Sequence, residues 1–145
     1  MSPSQAGYSG KPVWRKLGLA AGMRVHVAGA PDDYATLVGL DADAIALVGA
    51  RARFDLAHLF ADDATRLARS VVALAARLPA DGVLWVSWPK KSSGIVTDIT
   101  EDVVRAIALP LGLVDNKVCA IDATWSALKL VWRRELRAGK PMRRR

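Results

Sequence analysis

His26-Val27-Ala28-Gly29-Ala30-Pro31-Asp32-Asp33 leaves a strand and enters a turn. Val25 and Val27 alternate with Arg24 and His26, the period-two pattern of a half-buried strand over Met23 to Ala28. Gly29-Ala30-Pro31 stops that pattern. Asp32 or Asp33 can then cap a short helix through about Val38, because a carboxylate accepts the free N–H groups of a first turn. A glycine-rich turn at this place would let the backbone approach a ligand and would offer it N–H donors. Here Gly29 stands alone, Pro31 has no donor, and both Asp residues bring negative charge. The stretch reads as the first strand and turn of an α/β sheet without a working nucleotide-type loop.

The pattern continues on both sides. Residues 1–12 are rich in Ser, Gly and Pro and read as an extended arm. Ala44 to Val48 is a weak strand, and Phe54 to Phe60 is apolar enough to lie inside a sheet. After Asp62 and Asp63, the residues Leu67, Val71, Leu74, Ala75 and Leu78 form one stripe at helical spacing. Val83 to Trp88 reads as a buried strand, stopped by Pro89. Asp98 with Glu101 resembles a capping box, with Thr100 as the other candidate cap for a helix through Leu111. Lys117 to Ala123 and Ala127 to Trp132 are close enough to pair as a hairpin. Strands alternating with helices predict a mostly parallel sheet, helices on both faces, and a terminal antiparallel pair. The strand ends after Ala28, Phe60 and Trp88 would share the edge where such sheets bind ligands.

A chain of 145 residues fits one domain, expected over residues 13–133. Its net charge of +7 is concentrated at one end. Arg133, Arg134, Arg137, Lys140, Arg143, Arg144 and Arg145 face the single acid Glu135 there, so residues 134–145 read as a basic tail. No apolar run is long enough for a bilayer, so no membrane partner is expected. The start lacks a basic segment followed by an apolar one, and the single Cys119 cannot form an internal disulfide. These features point to the cytoplasm.

Two resemblances follow from quoted stretches. Leu17-Gly18-Leu19-Ala20-Ala21-Gly22-Met23-Arg24-Val25 resembles the lead-in to the first strand of class I S-adenosylmethionine-dependent methyltransferases. The late order of strands and helices is similar to theirs too, which implies a Rossmann-like, methyltransferase-like fold. Ser2 to Pro12, Leu84-Trp85-Val86-Ser87-Trp88-Pro89-Lys90-Lys91 and Thr97-Asp98-Ile99-Thr100-Glu101-Asp102 resemble the bacterial family known as domain of unknown function 3052. That likeness runs over residues 2 to about 133 and implies no activity. The methyltransferase comparison implies a Gly-x-Gly-x-Gly turn that residues 29–33 do not carry. Only about twenty residues lie between Ala30 and Phe54, fewer than its full set of elements needs.

The candidate ligand-binding residues are Gly29, Asp32, Trp88, Lys90, Lys91, Ser92, Ser93, Thr97 and Asp98. Two ammonium groups and two hydroxyls after a buried strand can hold a small anion such as a phosphate, or form an ordinary solvated loop. The tail residues Arg133, Arg134, Arg137, Lys140, Arg143, Arg144 and Arg145 can neutralise nucleic-acid phosphates, or form a frayed terminus. His26 and His58 would need partners for acid–base work, with Asp32, Asp55 and Asp122 as candidates. Packing inside the sheet is the plainer account of both. Trp85 and Trp88 should face opposite sides of the sheet, and Cys119 reads as a small buried hydrophobe. No ligand spacing for a metal occurs, no cofactor is expected, and no catalytic set is coherent. The expectation is a non-catalytic binding or interaction protein. Its alternatives are an enzyme or sensor for a small anionic ligand at residues 88–98, and non-specific nucleic-acid binding by the tail.

Overall fold

The computed structural model describes residues 11–140, apart from Asp32, Ala42 and Ala50. The helices are α1 (Val13–Leu17), α2 (Tyr34–Val38), α3 (Ala64–Ala75) and α4 (Glu101–Ala108). The strands are β1 (Arg24–Ala28), β2 (Ala46–Val48), β3 (Leu56–Phe60), β4 (Val83–Pro89), β5 (Leu113–Ala120) and β6 (Trp125–Trp132).

They form one sheet in the order β2-β1-β3-β4-β6-β5. The first four strands are parallel, and β6 runs antiparallel to both β4 and β5. This is the mostly parallel α/β sheet with a terminal antiparallel hairpin that the alternation of patterns predicts. The hairpin strands lie earlier than expected. β5 begins at Leu113 and β6 at Trp125, because Gly112 in a left-handed turn ends the helical segment early enough to free Leu113.

Two apolar clusters cover the sheet. One packs Leu67, Val71 and Leu74 of α3 and Val104 of α4 against Ala57, Leu59, Leu84, Val86 and Trp88. The other packs Val13 and Leu17 of α1 and Tyr34 and Val38 of α2 against Val25, Leu56, Phe60 and Trp85. Trp85 and Trp88 therefore face opposite sides, as their odd spacing requires. No helix of the described residues is long and apolar enough to cross a membrane. Parallel pairing brings the carboxyl ends of β1, β3 and β4 to one edge, and β6 starts there.

Candidate functional site at the strand ends

The edge is built from four elements. β1 ends at Ala28, and Gly29 turns with φ +75° so that the chain passes close to Phe60. Asp33 caps α2, its carboxylate accepting from Ala35 N–H at 3.0 Å. Asp32 lies outside the described residues. β3 ends at Phe60, and Ala61 N–H donates to the Ser87 carbonyl at 3.1 Å. Asp122 closes the hairpin at the other side, its carboxylate accepting from the backbone N–H groups of Thr124 and Trp125, each at 2.8 Å. That turn sets Trp125 against Phe60, edge to face with ring centres 5.2 Å apart.

Between these elements lies a cleft of about 190 Å3. Ala28, Gly29, Leu59 and Ala61 line it beside Phe60 and Trp125, while Asp62, Arg66 and Ser70 supply its polar side. Arg66 and Ser70 stand one turn apart on α3 and so share a face. Of the ligand candidates read from the sequence, the cleft includes Gly29. Phe60, Asp62, Arg66, Ser70 and Trp125 are additions. Asp62 was legible only as the start of a helix, and nothing in the spacing of Trp125 brings it to the end of β3.

The other candidates serve the loop that follows β4. Trp88 is buried in the core cluster on the α3 side. Lys90 N–H donates to the Thr124 carbonyl at 2.7 Å, and Lys91–Ser93 form one 3₁₀ turn. The Ser93 hydroxyl donates to the Lys90 carbonyl at 2.6 Å and accepts from Ile95 N–H at 3.1 Å. Thr97 Oγ1 accepts from Ile99 N–H at 3.1 Å, and Lys91 and Ser92 are exposed. Asp98 is not part of a capping box for α4. Thr100 caps α4 through Val103 N–H, while Asp98 reaches 34 residues back to accept from Ala64 N–H at 2.8 Å.

A buried polar chain runs behind the cleft. The Tyr34 hydroxyl is 2.7 Å from His58 Nδ1, and His58 Nε2 is 2.6 Å from the Ser87 hydroxyl. Burial pushes the His58 pKa down to about 3 and moves that of Tyr34 upward, so both groups are neutral near pH 7. The His58 ring stacks on Phe60 with centres 4.3 Å apart. Of the carboxylate partners expected for the histidines, Asp32 lies outside the described residues, and Asp55 and Asp122 are engaged elsewhere. Asp55 accepts from Arg24 N–H at 2.9 Å, Asp122 closes the hairpin, and His26 Nδ1 lies 3.0 Å from the Val48 carbonyl.

In the basic segment, Arg133 and Arg134 are exposed. Arg137 donates twice to the Trp132 carbonyl, and the Lys140 ammonium sits 3.9 Å from the centre of the Trp132 ring. Arg143, Arg144 and Arg145 lie outside the described residues. Among the described residues no group of three His, Cys, Asp or Glu side chains converges as a metal site. Cys119 is buried, and burial raises its thiol pKa.

No protein-family model and no curated protein matches the chain. Solved structures do match it. Magnesium protoporphyrin IX methyltransferase from Synechocystis PCC 6803, with bound SAH, superposes with a TM-score of 0.55 at 13% identity, over 83% of this chain and 78% of that one. The ribosomal protein L11 methylase of Lactobacillus delbrueckii subsp. bulgaricus gives 0.51 at 13%, over 81% and 74%. An O-methyltransferase family 2 protein from Planctomyces limnophilus DSM 3776, in complex with apigenin, gives 0.56 at 13%, over 78% and 52%. The expectation of a non-catalytic binding or interaction protein gives way to this finding: the neighbours are enzymes, and the Synechocystis protein is also seen with bound SAM. The chain has the Rossmann-like fold of S-adenosylmethionine-dependent methyltransferases.

Proposed function

We propose that the chain is a methyltransferase-type enzyme whose transfer site is the strand-end cleft. The observation that carries this reading is the position of the cleft, at the carboxyl ends of β1 and β3 where open parallel sheets bind their ligands. The neighbours with bound SAH and SAM support the same reading.

S-adenosylmethionine supplies an electrophilic methyl group on a sulfonium cation when bound. The aromatic side chains of Phe60 and Trp125 and the carboxylate of Asp62, all in the lining of the cleft, suit such a cation. The cleft is smaller than the roughly 300–1,000 Å3 of pockets for drug-sized ligands, so it fits one end of the cofactor. The turn after β1 offers the other end a single glycine, and Pro31 offers no donor. Phe60 and Trp125 would hold and shield the sulfonium. Leu59 and Ala61 would limit water at the same place.

Calorimetric titration of the full chain with S-adenosylmethionine and S-adenosylhomocysteine tests the proposal. Micromolar binding that is weakened at least about tenfold by Trp125→Ala is expected. Absence of binding to either compound at millimolar concentration overturns it. The cytoplasmic location and the likeness to the bacterial domain of unknown function 3052 also remain our own reading, on Cys119 and the Leu84 to Lys91 and Thr97 to Asp102 stretches.

A further inference from the structure

The exposed side of α3 carries charge of one sign. Arg66 and Arg69 stand one turn apart and are exposed, and Arg77 follows the end of the helix. No acidic residue occurs from Ala64 to Ala80. The Arg77 guanidinium donates to the Arg51 carbonyl, which sets the segment between β2 and β3 against the end of α3. That segment adds the exposed Arg51 and Arg53, and Arg24 Nε donates to the Arg53 carbonyl at 2.9 Å. Among the described residues none of these six arginines forms an ion pair. The chain has eight arginines before Trp132, and Arg15 and Arg105 are the two that lie elsewhere. The fold therefore gathers guanidinium groups that repel one another and gives them no counter-charge.

The six form a row from one edge of the sheet to the other. Arg66 lines the cleft at the carboxyl ends of the strands, whereas Arg24 opens β1 and Arg53 precedes β3 at the amino ends. We propose that this row binds the sugar–phosphate backbone of a nucleic acid and leads the strand to the cleft. The row deepens the proposed function by naming the class of acceptor, and rests on that reading only for what happens at the cleft end. A guanidinium presents paired N–H donors that match phosphate oxygens. Arg24 and Arg77 each spend one donor on a carbonyl and keep the others, so their heads are held in place before a ligand arrives. The 12 residues of α3 rise about 18 Å, room for several successive phosphates of one strand. A small anion needs donors that converge on one point, which a row does not supply. A lipid surface takes basic charge together with a broad apolar face, and Val72 is the one large apolar side chain exposed on α3.

Fluorescence anisotropy on the full chain tests the row, with labelled RNA and DNA strands of one sequence and about 20 nucleotides as probes. Micromolar binding is expected at ~50 mM salt, with log K falling linearly against log salt. Arg51→Ala with Arg53→Ala should weaken binding at least about fivefold and reduce the steepness of that line by about 1.4–1.8. Arg69→Ala should reduce it by about 0.7–0.9. Arg15→Ala on the opposite face and Arg134→Ala in the basic segment should leave the line unchanged. These variants remove exposed side chains and keep the Arg51 and Arg53 carbonyls, so the parent unfolding midpoint is expected. Tighter binding of RNA supports the row and adds contact with the 2′-hydroxyl; equal binding of both strands supports it through phosphates alone. Equal losses in Arg15→Ala or Arg134→Ala overturn it, because the charge of the whole chain then does the binding. Failure of both strands to bind at ~50 mM salt overturns it too. So does equally tight binding of polyglutamate or of phosphatidylserine vesicles. Strand binding by a chain that takes neither S-adenosylmethionine nor S-adenosylhomocysteine would remove the proposed function and leave this inference. Cofactor binding without strand binding would do the reverse.

Discussion

A Cβ placed on Gly29 would stand 2.5 Å from the carbonyl oxygen of Phe60. The glycine that the sequence offered as the remnant of a ligand loop thus has a packing duty as well. It lets the turn after β1 lie directly on the end of β3, which forms part of the cleft. With φ at +75°, the position also disfavours any L side chain.

Gly29→Ala should therefore cost about 2–4 kcal/mol, combining left-handed strain with the forced separation of β1 and β3. Gly18→Ala is the comparison, because Gly18 has φ +79° with nothing within 4 Å of its added Cβ. It should cost only about 1 kcal/mol. Urea unfolding at constant slope measures both. Equal losses would show that the approach to Phe60 does not contribute.

The Tyr34–His58–Ser87 chain makes stability depend on pH with a definite sign. His58 is neutral in the fold, with its pKa pushed from 6.5 down to about 3 by burial. The unfolded chain takes up a proton below about pH 6.5, and the folded chain does not until about pH 3. The contribution is thus fully present above 6.5 and is lost progressively as pH falls from there toward 3. Unfolding free energy should fall by up to about 1.4 kcal/mol per pH unit from this group in the middle of that window. Denaturant titrations between about pH 6.5 and pH 5 avoid most carboxylate titration. His58→Gln should flatten the profile there, and an unchanged slope would remove His58 as its source. Tyr34→Phe should cost about 1–3 kcal/mol at neutral pH by leaving Nδ1 without its buried partner.

Much of the architecture was legible because it depends on local periodicity. The stripe of Leu67, Val71 and Leu74 and the apolar run of Val83 to Trp88 each point to one kind of element. The cleft was less legible because it depends on register. His58 meets Tyr34 and Ser87 only after β3 pairs with β4 and α2 folds over them, and no spacing along the chain encodes that meeting. Trp125 reaches the cleft because β6 enters the sheet antiparallel to β4, opposite Pro89. Lys90 to Ser93 looked like a ligand loop by composition, yet its main-chain groups and the Ser93 hydroxyl are spent on bracing the turn.

Asp98 gives a direct test of that bracing. Its carboxylate holds Ala64 N–H at the start of α3, beside the Asp63 cap that accepts from Arg66 N–H. Asp98→Ala should cost about 1 kcal/mol, the usual scale for a helix cap. Because the bond also ties residues 94–99 to α3, amide hydrogen exchange at Ala64 and Ile99 should quicken together. Acceleration confined to Ala64 would show that Asp98 caps the helix without anchoring the loop.

The basic segment is tied to the fold through Trp132. Its indole N–H donates to the Leu78 carbonyl at 3.1 Å, and the Lys140 ammonium covers its ring. Arg133 N–H donates to the Gly112 carbonyl at 2.9 Å, and Leu136 packs over Gly112 from the following 3₁₀ turn. Truncation after Arg133 removes the Arg137 and Lys140 contacts and the Leu136 packing at once. A cation over an indole contributes about 0.5–2 kcal/mol, and one partly buried leucine a similar amount. The truncated chain should therefore lose about 1–4 kcal/mol, with Trp132 more open to acrylamide quenching. Lys140→Met keeps most of the aliphatic cover while removing the charge, so it should retain the packing share and lose only the cationic one. If the truncated chain unfolds at the parent midpoint, residues 134–140 are an appendage rather than a clasp on Trp132.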